Sequence, residues 1–173
     1  MRNRGIIFYI ILFILVVLAQ GLLFDQIEPG WGIHIMIYPM FILLLPFDTK
    51  PIYLMLYAFL LGLAVDTFTN SFGLHTSSAL VLAYFRPQLY ALLESRDGYD
   101  VGKIATFSDM KRSWFFRAYG FGLLIHHLFF FTLEMFKFSD FFFIIQKTLL
   151  SVIASFFMIL FIQLIFLNRA EKS

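Results

Sequence analysis

Cysteine is absent from the 173 residues, and Asp, Glu, Lys and Arg together make up only 14% of them. The first absence excludes disulfides, thiol nucleophiles, Cys-based zinc sites and iron–sulfur clusters. The second excludes a water-soluble domain, which draws about a quarter of its residues from the charged set to cover its core. Nucleic-acid binding is not expected either, because a net charge of +2 is too small for an electrostatic footprint. Two histidines four apart around a glutamate, a Gly-rich phosphate loop and a strand-turn-helix nucleophile elbow are all missing. A non-enzymatic protein with no metal and no cofactor is therefore expected. What the chain has instead is apolar surface: 61% hydrophobic residues, among them 25 phenylalanines. A crossing of a hydrocarbon core about 30 Å thick takes about 20 such residues, so this length accommodates about six crossings in one transmembrane domain, 1–173.

The charged residues fall in clusters and leave long uncharged stretches between them. The expected spans are 5–24, 31–47, 52–66, 74–93, 114–133 and 141–168, with a cytoplasmic loop at 94–112. The first follows Arg2 and Arg4, and Val17-Leu18-Ala19 resembles a signal cleavage site. The apolar run continues past Ala19 to Phe24, however, which favours a retained span. The second holds Pro39 and Pro46, so a kink or interruption is expected there. Thr67 to Gly73 supplies the turn that ends the third helix and starts the fourth. Arg86-Pro87 reads as a basic interfacial anchor and helix stop.

Basic residues near span ends stay on the cytoplasmic side. With the N-terminus inside, eleven basic residues lie inside and two outside, Lys137 and Lys147. The expected fold is thus an all-α, six-helix transmembrane bundle in the inner membrane, multi-pass, with both termini cytoplasmic. Trp31 and Trp114 then fall near opposite interfaces.

Helices in lipid associate through close packing at small residues and through paired polar groups. Ala58, Gly62 and Asp66 share one face of the third span, and Ala118, Gly122 and His126 one face of the fifth. Ser151 and Ser155 begin a face of the sixth that ends at Gln163. Each is a bundle-packing seam or a docking face for a helix of another protein. Asp66 has two readings: it accepts hydrogen bonds from backbone N–H groups in the turn before the fourth helix or from Asn70 and Ser71, or it is a proton, cation or partner site. His126 and His127 are adjacent, point about 100° apart on a helix, and cannot ligate one ion from a single side.

Gly62-Leu63-Ala64-Val65-Asp66, followed by Gly73-Leu74-His75 and Ala79-Leu80-Val81-Leu82-Ala83-Tyr84, resembles the MreD family of bacterial rod-shape-determining membrane proteins. Many members of that family carry a proline where this chain has Ser71-Phe72. The resemblance implies a non-catalytic scaffold of the cell-elongation machinery that binds a bitopic MreC-like partner. Through that partner it would connect an MreB-like filament to the cell-wall synthases and so to peptidoglycan synthesis. It also implies a six-helix fold similar to the substrate-binding subunits of vitamin transporters. Gly62, Asp66, Asn70, Gly73 and His75 are the residues expected to matter most. The alternative is a small transporter or substrate-binding membrane subunit, which requires a water-accessible cavity near Asp66 or His126.

Overall fold

The computed structural model describes residues 5–27, 30–94, 98–99, 104–136 and 141–167. Expectations resting on Arg2, Arg4, Glu28, Pro29, Arg96, Asp97, Asp100, Lys103, Lys137, Asp140 and residues 168–173 lie outside the described residues. Within them the fold is all-helical, with no strand. The helices are α1 (Ile6–Leu22), α2 (Pro39–Leu44), α3 (Pro51–Thr69), α4 (Leu74–Leu93), α5 (Arg112–Met135) and α6 (Phe141–Ile162). A 3-10 turn, Phe24–Gln26, follows α1, and a π-helical turn, Gln163–Leu167, extends α6.

Four segments are long and apolar enough to cross a membrane: Ile6–Gln26, Pro51–Thr69, Arg112–Met135 and Phe141–Leu167. Their outward faces are apolar. Ile6, Ile10 and Ile14 on α1, Leu63 on α3, and Phe157 and Phe161 on α6 are all exposed. So continuous an apolar surface is consistent with a membrane protein whose outer solvent is lipid.

The second expected span, 31–47, is helical only over the six residues of α2. Pro39 occupies the first helical position, where its missing N–H is harmless, and Pro46 follows the end, where the chain must already have left helical geometry. The two prolines therefore bracket a short helix rather than bend a long one, and residues 33–37 have no regular secondary structure. All six α2 residues are buried. This helix touches α1, α3, α4 and α5 and plugs the centre of the bundle.

Around it α3 packs on α4, α4 on α5 and α5 on α6, with α1 against α3. The α4 helix spans 20 residues, but His75, Thr76, Ser78 and Arg86 lie on its buried face, so its polarity belongs to the interior. Arg86 departs from the expected interfacial anchor: it is 2% exposed. Pro87 does not stop the helix, which continues to Leu93. A proline inside a membrane helix is tolerated where neighbouring groups satisfy the freed backbone. Trp114 is also buried rather than free at a surface, packed with Tyr90, Tyr99 and Phe47. Its indole N–H donates to the Tyr99 hydroxyl at 3.0 Å, and that hydroxyl donates to the Tyr90 carbonyl at 2.5 Å. Burial raises the Tyr99 pKa above its ordinary value, which keeps this donor protonated.

Candidate functional site

A stretch of non-helical backbone inside an apolar bundle must find partners for its N–H and C=O groups, since none come from lipid. Here side chains of the surrounding helices supply them. The His34 N–H donates to Ser151 Oγ at 2.9 Å and the Met36 N–H to Ser155 Oγ at 2.8 Å. Gln20 on α1 spans two groups at once: its Oε1 accepts from the Ile37 N–H at 2.8 Å, and its Nε2 donates to the Ile35 carbonyl at 3.2 Å. At the other end of α2, Tyr90 donates to the Leu43 carbonyl at 2.8 Å and Arg86 to the carbonyls of Leu45 and Pro46. Arg86 has no carboxylate partner among the described residues; its guanidinium lies 4.5 Å from the Tyr90 ring centre and its Nε is unpaired. The cation thus serves as a cap for carbonyls that the short helix cannot satisfy.

Asp66 organises the turn between α3 and α4. Asn70 and Gly73 both adopt left-handed conformations, with φ of 51° and 91°, which reverse the chain within a few residues. Gly73, the residue before α4, has no side chain to cap that helix. Asp66 reaches across from the preceding helix and does so: Oδ1 accepts from the His75 N–H at 3.0 Å and Oδ2 from the Thr76 N–H at 2.9 Å. The hydroxyls of Ser71 and Thr76 donate to it at 2.5 Å each, and His75 Nδ1 lies 3.1 Å from Oδ1. A buried carboxylate held by two backbone donors at a helix start is stabilised by the dipole as well as by the bonds. Asn70 makes none of these contacts.

The approach that allows this is set by Gly62. A Cβ there would lie 2.7 Å from Thr76 N and 2.9 Å from the His75 carbonyl, so α3 and α4 touch backbone to backbone. Ala58 is fully buried beside it. Ala118 and Gly122 on α5 are also buried, and a Cβ on Gly122 would sit 3.2 Å from Leu43 of α2. The seams on α3 and α5, and the serines of α6, are therefore covered by the chain's own elements and leave no open docking face. His126 Nε2 is 2.5 Å from the Tyr38 hydroxyl. His127 lies against His126, Nδ1 to Nδ1 at 3.4 Å, with its own Nε2 3.1 Å from Ser155 and its Nδ1 2.8 Å from the Leu123 carbonyl. Among the described residues no group of three or more His, Asp or Glu is placed to hold a metal ion.

Two openings stand out among the described residues. A cavity of about 180 Å³ lies where α1 and α5 end and α4 begins, bounded by Gln20, Asp25, His34, Ser71, His75 and Glu134. Glu134 is bonded to Lys147 at 2.6 Å. At the opposite end a groove of about 650 Å³ runs between α1 and α3, lined by Ile6, Ile10, Phe13, Tyr53, Tyr57 and Leu60, with Asp48 and Lys50 at its mouth. Spacing alone marked Asp66 and His75 but not the cavity, because Asp25, His34 and Glu134 are remote in sequence and meet only through the interrupted second segment. No family model, curated protein or solved structure matches the chain.

Proposed function

We propose that this chain is a non-catalytic integral membrane scaffold of the bacterial cell-elongation machinery. In this reading it is a six-pass inner-membrane protein with both termini in the cytoplasm, and it binds a bitopic MreC-like protein. That partner links it to an MreB-like filament and to cell-wall synthases, and so to cell shape and peptidoglycan synthesis. The observation that carries the docking role is the groove between α1 and α3. It runs from Ile6 to Phe13 along α1 and from Tyr53 to Leu60 along α3, about two turns of each. It is apolar along its length and charged only at the end formed by Asp48 and Lys50, as one end of a single transmembrane helix would require. The interior seams are consumed in holding the fold, which leaves this surface for the partner.

The test places a photo-crosslinking residue at Ile10 or Tyr57 in the groove, or at Phe157 on α6, in cells. A single-span protein identified by mass spectrometry should be captured from the groove positions only. Filling the groove with Ile10→Trp should abolish that capture and leave rod-shaped cells rounded when the variant replaces the wild-type chain. Equal capture from Phe157, or normal shape with Ile10→Trp, contradicts the proposal.

A second reading, a solute-binding membrane subunit, draws support from the cavity beside Asp66, since Ser71 and His75 both line it and both bond that carboxylate.

A further inference from the structure

Four non-glycine residues among the described ones hold left-handed backbone conformations, and three of them are aromatic: Trp31, Phe72 and Phe136, with φ of 57°, 49° and 41°. A side chain makes that conformation unfavourable, a bulky one most of all. Glycine takes it without strain, and the chain does use glycine at Gly30 and Gly32, on either side of Trp31, and at Gly73, next to Phe72. Packing inside the fold does not account for the aromatics, because Trp31 is 79% exposed, Phe136 83% and Phe72 fully. Strained residues kept at a surface point to a task for the side chain.

All three lie at one end of the bundle. Ser71, next to Phe72, and Glu134, two residues before Phe136, line one cavity with Asp25 and His34, between which Trp31 falls in the chain. A Cβ on the neighbouring Gly32 would sit 3.3 Å from Lys147, the residue bonded to Glu134. The level of this end follows from length. The apolar segments that precede the three aromatics, Ile6–Gln26, Pro51–Thr69 and Arg112–Met135, have 21, 19 and 24 residues. At 1.5 Å per residue they are about 28–36 Å long, against a hydrocarbon core about 30 Å thick. Trp31, Phe72 and Phe136 come shortly after these segments end, where hydrocarbon gives way to headgroups. The exposed apolar surface leads toward them on the same segments, through Leu22 and Leu23 before Trp31, Phe68 before Phe72 and Leu128 before Phe136. That continuity with a lipid-facing surface selects a lipid layer, rather than a protein, as what covers the rings.

We propose that Trp31, Phe72 and Phe136 form an aromatic collar that inserts into the phospholipid headgroup layer at this end of the bundle and fixes its depth. Aromatic and apolar side chains are favoured at that boundary, whereas in bulk water three bare rings are a cost. With the collar seated, the cavity mouth at Ser71 and Glu134 lies level with the headgroups. Position in the sequence alone puts Trp31 near an interface; the strained backbone adds Phe72 and Phe136 and the reason they stand where glycine would be easier. The inference rests on the reading that α1, α3 and α5 cross the bilayer, and not on the partner proposed above.

The test reads depth by fluorescence quenching, with the full chain in phosphatidylcholine vesicles. Trp31 is measured after subtraction of the Trp31→Phe protein, in which only the buried Trp114 emits. Phe72→Trp, Phe136→Trp and, as a control in the middle of α3, the exposed Phe59→Trp are made in the Trp31→Phe chain. Lipid brominated close to the glycerol should remove more emission from positions 31, 72 and 136 than lipid brominated at the chain end, with the reverse order at position 59. Phe72→Gly and Phe136→Gly, which relieve the backbone, should unfold in detergent at or above the temperature of the unaltered chain. A lower unfolding temperature means that the rings pack within the fold, and overturns the collar. Loss of emission to aqueous iodide and to neither lipid, with position 59 still deep, also overturns it and leaves the rings to a protein surface at that end. A position 59 that chain-end bromine does not quench overturns the crossing of α3, and the collar with it.

Discussion

Replacing Gly62 by alanine tests how closely the fold depends on backbone contact between α3 and α4. The added methyl would lie 2.7 Å from Thr76 N and 2.9 Å from the His75 carbonyl, where ordinary non-bonded contacts sit near 3.5–4.0 Å. These are backbone atoms, so no rotamer change relieves the clash, and the start of α4 must move away by about 1 Å. Overpacking of that kind is destabilising by about 1–3 kcal/mol. The same displacement pulls the His75 and Thr76 N–H groups from Asp66, now at 3.0 and 2.9 Å, and each hydrogen bond to a charged acceptor contributes about 1.5–3 kcal/mol. The expected loss for Gly62→Ala is therefore at least about 3 kcal/mol, read as a shift of the unfolding midpoint in mixed micelles at increasing denaturing detergent. Gly120→Ala is the control, because a Cβ there meets nothing within 4 Å. It should be neutral or stabilising by up to about 1 kcal/mol. A Gly62→Ala protein that unfolds with the Gly120→Ala protein refutes the reasoning.

Three further substitutions probe the polar interior. Asp66→Asn should destabilise more than its isosteric shape suggests, because the new amide N–H₂ turns a donor toward donors at either end of the old carboxylate. The expected loss is about 1–3 kcal/mol for each group stranded, measured by the same unfolding midpoint. Ser155→Ala leaves the Met36 N–H and His127 Nε2 without their partner and should be destabilising by about 1–3 kcal/mol. Deuterium exchange should rise at Met36 and stay unchanged in α3. Arg86→Met removes the donor to the Leu45 and Pro46 carbonyls and the cation over Tyr90. Its loss should be about 2 kcal/mol or more, with a change in Trp114 fluorescence in a Trp31→Phe background.

Hydropathy and charge clustering located α1, α3, α4, α5 and α6 because each is a long, continuous helix bounded by charged or turn residues. The bounds of α4, Leu74–Leu93, coincide with the expected span, and α3 runs three residues beyond Asp66 to Thr69. The second segment was legible only as an interruption. Pro39 and Pro46 announce that regular helix must stop, but not that residues 33–37 stay non-helical, since that depends on acceptors brought by Gln20, Ser151 and Ser155 from helices far away in sequence. Arg86 misled for a related reason. A lone arginine beside a proline looks interfacial by local pattern, whereas its burial follows from the unpaired carbonyls at the end of α2. Asp66 was legible as a costly carboxylate, and the structural one of its two readings matches the geometry in part: Ser71 donates to it as expected, but its backbone donors are His75 and Thr76 inside α4 rather than groups of the turn before it. A cavity near Asp66 was expected only under the transporter reading, and its lining by Asp25, His34 and Glu134 was not legible, because these residues converge only in three dimensions.

The absence of cysteine makes the threading of the chain open to one direct measurement. Single cysteines introduced as Asp48→Cys, in the turn after α2, and Phe72→Cys, in the turn after α3, both occupy exposed positions. They are joined by one pass of α3. In intact spheroplasts a membrane-impermeant maleimide should label the cysteine at position 72 and spare the one at position 48 until the membrane is opened. Labelling of both from the same side would mean that α3 does not cross the bilayer, and the alternating bundle built around the interrupted segment would be wrong.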